Sequence, residues 1–208
     1  MVANHRKALR PSLIVAFLAS GLVVSSAEIA KGKNAAADAK TEGLAAWRKV
    51  YPVLISPRCI NCHTATDHPQ QGDDRHRHSD GVARGPEDRG VPGLECASCH
   101  GESNDAGTGV PGARNWHLAP LSMRWQDKTE RPLSSAALCR VVTDPSRNHG
   151  LDGPGLLKHF EEDPLALWGW NPGPRPDGTT RSLPPLPHPE FIEAVRLWVD
   201  GGTPCPNE

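Results

Sequence analysis

Apolar residues are bunched along this chain rather than spread evenly. The densest bunch, Leu13 to Val24, is nearly unbroken; it follows Arg6, Lys7 and Arg10 and precedes Ser25-Ser26-Ala27. A basic front, an apolar run of about 12 residues and small residues at its end are the order of a secretory signal peptide, and the run is well short of the ~20 residues that span a bilayer. Residues 1–27 are therefore expected to direct export to the periplasm and to be cleaved after Ala27, leaving no transmembrane segment. Residues 28–40 (EIAKGKNAAADAK) are small and polar and read as a flexible lead-in.

Helical spacing begins beyond residue 41. Leu44, Trp47, Tyr51 and Leu54 recur at three- and four-residue steps and predict a helix over 42–51, with Pro52 ending or kinking it. Ser134 or Ser135 caps a second helix with Leu138, Val141 and Val142 inward; Leu156, Leu157 and Phe160 mark a third over 154–162. Phe191, Ile192, Val195, Trp198 and Val199 mark a fourth over 189–200, closed by Gly201. Segments 64–95 and 101–115 lack periodicity, and Leu165 to Pro187 reads as a surface crossing anchored by Trp168 and Trp170. With 20 Gly and 21 Pro in 208 residues, much of the chain must be loop. The expected fold is mainly α with a high proportion of irregular loop: about four short helices in one domain, 41–208.

Formal charge is −1, and −4 once residues 1–27, with three basic and no acidic side chains, are removed. That balance excludes an electrostatic nucleic-acid binder, which needs clustered Lys and Arg. No Rossmann fingerprint, P-loop, nucleophile elbow or zinc-protease motif occurs. The distinctive residues are six cysteines and ten histidines. Cys59-Ile60-Asn61-Cys62-His63 and Cys96-Ala97-Ser98-Cys99-His100 are two copies of C-x-x-C-H, the attachment pattern of c-type haem. In that pattern two thiols form thioethers to one porphyrin and the following histidine reaches the iron as proximal ligand. Zinc is the rival for paired C-x-x-C, but 33 intervening residues exceed ribbon spacing, and zinc does not account for a histidine after both pairs. A thioredoxin-like site would need one pair inside a βαβ pattern that is missing here. The reading is two covalently bound haem c groups, held by Cys59, Cys62, Cys96 and Cys99, with His63 and His100 proximal. The 37 positions from Cys59 to Cys96 are too few for a complete monohaem domain, so both haems should share one core.

From these motifs, and from Trp47–His63, Trp116–Trp125, Leu138–Gly150 and Leu156–Gly173, the chain resembles the small periplasmic di-haem c-type cytochromes, specifically a subfamily sometimes labelled isoquinoline 1-oxidoreductase subunit. The resemblance covers most of the chain after residue 41. It implies a compact multihaem fold and a link to molybdenum hydroxylases.

The second axial ligand decides between electron transfer and open-site chemistry. Outside the motifs and residues 1–27 the candidates are Met123, His68, His76, His78, His117, His149, His159 and His188. His78 ranks first, because its flanks, Gln71-Gly72-Asp73 and Val82-Ala83-Arg84-Gly85, resemble the subfamily's pattern. His76 is the runner-up, since alternate positions of an extended segment point the same way. His117 ranks ahead of Met123 in the apolar patch WHLAPLSMRW; a thioether there would raise the reduction potential. His159 reads as a core histidine and His188 as a helix-start cap. Cys139 and Cys205, the even remainder in an oxidising compartment, are expected to form a disulfide. The function expected from this set is electron transfer, to or from a redox partner protein such as a dehydrogenase or respiratory cytochrome. The alternative is a peroxidase-like haem enzyme with one open iron.

Overall fold

A computed structural model describes residues 26–208, with side chains from residue 31. The basic front and apolar run of the expected leader lie outside the described residues. The chain is mainly helical: α1 (Ser26–Leu54), α2 (Pro57–Ile60), α3 (Ser135–Thr143), α4 (Gly153–Glu162), α5 (Pro164–Trp168) and α6 (His188–Asp200). Six helices among the described residues replace the expected four or so, and each addition has a local cause.

α1 starts well before residue 42, so the stretch 28–40 is helical where an irregular lead-in was expected. Its alanines and lysines are good helix formers, and residues 31–38 are exposed, without an apolar face to reveal the helix by periodicity. Pro52 does not end α1, which runs on to Leu54. A proline in the last turn removes only the bond to the Arg48 carbonyl, on an exposed side of the helix. α5 lies inside the expected surface crossing, set by Asp163, whose carboxylate accepts from Leu165 N (2.9 Å) and Ala166 N (3.1 Å), and by Pro164 in the first turn. α2 is a single turn started by Pro57.

α1 packs chiefly against α6, and α3 and α4 close the remaining sides. Trp47 and Trp198 meet at the centre with ring centroids 4.9 Å apart, and Val50, Leu138, Phe191 and Val195 are fully buried around them. Trp47 Nε1 donates to Ser135 Oγ (2.9 Å) and the Tyr51 hydroxyl to Leu133 O (2.9 Å), fixing α1 against the start of α3. Cys139 and Cys205 form the expected disulfide, with Cα atoms 5.5 Å apart, and Trp198 Nε1 donates to Pro204 O (3.1 Å) beside it. Trp170 is a core anchor, as expected: its ring lies 5.0 Å from Phe191 and its Nε1 donates to Leu186 O (2.8 Å).

Gly201 follows α6 as expected, but with φ −73°, so it is not the left-handed residue of a helix end. Gly202 (φ 82°) takes that role, with Thr203 N bonded to Trp198 O (2.9 Å). Gly201 is needed for close approach instead, because a Cβ there would lie 2.7 Å from Ala39 O and 2.9 Å from Gly43 Cα. Gly201→Ala should separate α1 from the end of α6 and cost about 1–3 kcal/mol, the usual range for overpacking. Urea unfolding would read this, and an unchanged midpoint would show that the two helices yield freely.

The segments between α2 and α3 hold two small antiparallel hairpins, β1 (Gln70–Gln71) with β2 (His76–Arg77) and β3 (Gly90–Val91) with β4 (Leu94–Glu95). Two buried polar side chains order these loops. Arg84 donates to Asp88 Oδ1 (2.5 Å), Ala119 O (2.6 Å), Thr64 O (3.2 Å) and Thr66 O (3.3 Å). Gln126, fully buried, accepts from Thr64 Oγ1 and Ala65 N (3.0 Å each) and donates to Gln70 Oε1 (2.6 Å). Buried polar groups satisfied this completely specify one arrangement of otherwise irregular chain. Among the described residues no helix is long and apolar enough to cross a membrane.

Candidate functional site

Both C-x-x-C-H motifs wind into a turn. In the first, Cys62 N and His63 N both bond to Cys59 O (3.2 Å each). In the second, Cys99 N (3.3 Å) and His100 N (2.9 Å) bond to Cys96 O. Positions i, i+3 and i+4 of a helical turn share a face, so each motif turns its two thiols and its imidazole to the same side.

The two imidazoles are held alike. His63 Nδ1 donates to Met123 O (2.7 Å), and His100 Nδ1 donates to Pro111 O (2.7 Å). Each ring also lies flat on a tryptophan: His63 on Trp125 (centroids 3.4 Å apart, planes 8° apart) and His100 on Trp116 (4.6 Å, 9°). A hydrogen bond at Nδ1 fixes the tautomer and leaves Nε2 with its lone pair free for a metal. Burial drives the His63 pKa down to about 3, against a smaller opposing effect of the Met123 carbonyl, so the ring stays neutral in the physiological range. Burial lowers His100 as well.

The surroundings differ. The first motif is part of the core: Ile60 is fully buried, and Cys59, Cys62 and His63 open on a cavity of about 270 Å³ walled largely by apolar side chains, among them Leu54, Val142, Leu156 and Phe160. Burial pushes the Cys59 thiol up to about 12 and Cys62 to about 11. Arg58, itself buried, pairs with Asp73 at 2.5 Å and places its guanidinium over the ring of Trp168. Asp73 also bonds Arg175 and Ser182, tying the hairpin turn to the distant 175–182 loop. The second motif is at the surface, with Cys99 exposed and Cys96 half-buried. Trp168, which packs edge-on against Trp116 at 5.0 Å and donates from Nε1 to Asn104 Oδ1 (3.0 Å), backs it.

His78 lies next to His100, with ring centroids 6.0 Å apart and planes 71° apart. Its Nδ1 donates to Ser79 O (2.8 Å), again leaving Nε2 free. His76 is occupied otherwise, with Nδ1 on Asp74 Oδ1 (2.6 Å) and Nε2 on the Gln71 amide (3.0 Å). His117 lines the first cavity and donates from Nδ1 to Asn115 O. Met123 is buried on the same wall as His63, its own carbonyl being the His63 acceptor. His149 and His159 also line the cavity. His68 pairs with Asp67, and His188 donates to Phe160 O (3.0 Å), so it joins α6 to α4 from the helix start where a cap was expected.

The residues fit a c-type haem at the first motif on three counts. There are two thiols and a neutral imidazole on one face, an apolar cavity beside them, and two buried N–H donors of that cavity's lining, Trp125 Nε1 and Arg58 Nε, without an acceptor. An unpaired buried donor costs about 1–3 kcal/mol, a penalty that a carboxylate-bearing ligand would remove. Arg84 and Gln126, which brace the first motif from behind, were missed in the sequence, because nothing local distinguishes them from surface polar residues. The chain matches no protein-family model, no curated protein and no solved structure.

Proposed function

We propose that this chain is an exported di-haem c-type cytochrome that carries electrons, as a free carrier or as the electron-accepting subunit of a dehydrogenase such as a molybdenum hydroxylase. The observation that carries the reading is the repeated construction of the two motifs. Each turn puts Cys, Cys and His on one face, fixes the imidazole through Nδ1 to a backbone carbonyl and stacks it on a tryptophan. Cys59 and Cys62 would hold one haem and Cys96 and Cys99 the other, with Nε2 of His63 and of His100 directed to the irons. Bound haem supplies a one-electron ferrous/ferric couple; the protein sets its potential and its access.

At the second motif the 6.0 Å between His78 and His100 supports His78 as the opposite ligand. Rings that far apart would leave room for one metal bound by a nitrogen of each, at about 2 Å from either. His76, already engaged at both ring nitrogens, is the poorer candidate. The exposed Cys99 puts an edge of this site at the surface, where a redox partner would dock.

Visible and EPR spectra of the protein matured in a haem-attaching periplasm test the proposal. Two haems per chain, both low-spin, are expected. His78→Ala should turn one of them high-spin, and His76→Ala should leave both unchanged. Fewer than two haems would overturn the reading. A high-spin, CO-binding iron in the unmodified protein would favour the peroxidase-like enzyme, for which His117, His149, His159 and Asp163 around the first cavity supply acid–base groups.

A further inference from the structure

Resting on the di-haem reading, we propose that His159 is the sixth ligand at the first motif, in place of His117 or Met123.

Axial ligands must approach a planar macrocycle from opposite faces. Segment 117–125, which holds His117 and Met123, is bonded along its length to the first motif. Ala119 N bonds to Cys62 O (3.2 Å), Trp125 N bonds to His63 O (2.8 Å), and Met123 O receives His63 Nδ1–H (2.7 Å). It therefore forms the wall from which His63 itself projects. His149 belongs to that wall's rim, since its loop is tied to the 121–123 turn by Ser122 Oγ donating to Arg147 O (2.9 Å).

α4 forms a separate wall. Leu156, His159, Phe160 and Asp163 all line the cavity, and their spacing of i, i+3, i+4 and i+7 is one continuous helix face. α4 is also rigidly placed. Asp152 caps it by accepting from Gly155 N (2.9 Å), Phe160 packs edge-on against Phe191 of α6 (5.2 Å), and His188 bonds its last turn. A ligand on a braced helix is positioned more closely than one on a loop. The Asp163 carboxylate stands 3.8 Å from His159 Nδ1, beyond hydrogen-bond distance but close enough to favour Nδ1 as the protonated nitrogen and Nε2 as the one with its lone pair free.

The test compares His159→Ala, His159→Met and His117→Ala, each matured with haem and examined by haem count, EPR and CO binding of the reduced protein. With two haems retained, His159→Ala should turn the first site high-spin and CO-reactive, while His117→Ala stays low-spin. His159→Met should restore a low-spin iron with a raised reduction potential, as a thioether ligand does. It also tests the idea should the alanine variant fold poorly. A His159→Ala protein with two low-spin haems, or a His159→Met protein with an unshifted potential, would overturn the assignment and leave the di-haem reading intact. A haem count below two in the unmodified protein would remove that reading itself.

Discussion

Cys59→Ser/Cys62→Ser should unfold the protein, whereas Cys96→Ser/Cys99→Ser should leave it folded with a single haem. The asymmetry follows from where the two motifs sit. The first opens on a cavity of about 270 Å³ inside the core. Empty, it leaves the apolar side chains of its wall facing water, at about 25 cal/mol for each Å² of apolar surface, against the roughly 5–15 kcal/mol that holds a domain together. On the di-haem reading, a covalently tethered, largely apolar ring would fill it, remove that cost and give Leu54, Leu156 and Phe160 a packing partner. The second motif lies at the surface, so its loss exposes loops without emptying the core. Haem count by visible spectrum, with near-ultraviolet circular dichroism and a urea titration, would separate the two variants. Equal stability of both would show that the core closes without its ligand.

Opening the Cys139–Cys205 disulfide should be the second large effect. The bond joins residues 66 positions apart, so it constrains the unfolded chain by about 4 kcal/mol in the loop-entropy description. Cys139 is fully buried in α3, and the bond draws the chain end against Trp198 and the α1–α6 crossing. For a domain of this length, Cys205→Ser should lower Tm by roughly 10–15 °C. Haem binding is expected to persist, because neither cysteine lines the cavity. A variant that melts with the unmodified protein would show that Trp47, Trp198 and their neighbours already confine the C-terminus.

The motifs were legible because their chemistry is contiguous: thiol, thiol and imidazole within five residues need no tertiary information. The four expected helices and the disulfide were legible for related reasons, namely apolar periodicity and an even remainder of cysteines. α5 was legible in principle, since Asp163-Pro164 is a helix start, but five residues are too few to show a period. The extension of α1 carries no apolar stripe, so only propensity marked it. Arg84 and Gln126 gave no structural signal, because apart from Asp88, four residues from Arg84, the partners that hold them lie 18 to 62 residues away in the chain. His159 was discounted for a subtler reason. A helix face that lines a cavity has the same spacing as one that packs a core, and only the cavity tells them apart.

The buried thiols of the first motif also bear on how the chain is assembled in time. In the folded protein, with pKa values of about 12 and 11, Cys59 and Cys62 are protonated and poor nucleophiles, while in an extended chain they react as ordinary thiols. On the di-haem reading, carbon–sulfur bonds at this motif would form before the core closes around it. Synthesis proceeds from the N-terminus, so all four motif cysteines emerge before Cys205, whose pairing with Cys139 pins the chain end to the core. The loading interval would then close with the arrival of the last cysteine, and a 139–205 bond formed earlier would confine the chain end before the first motif is filled.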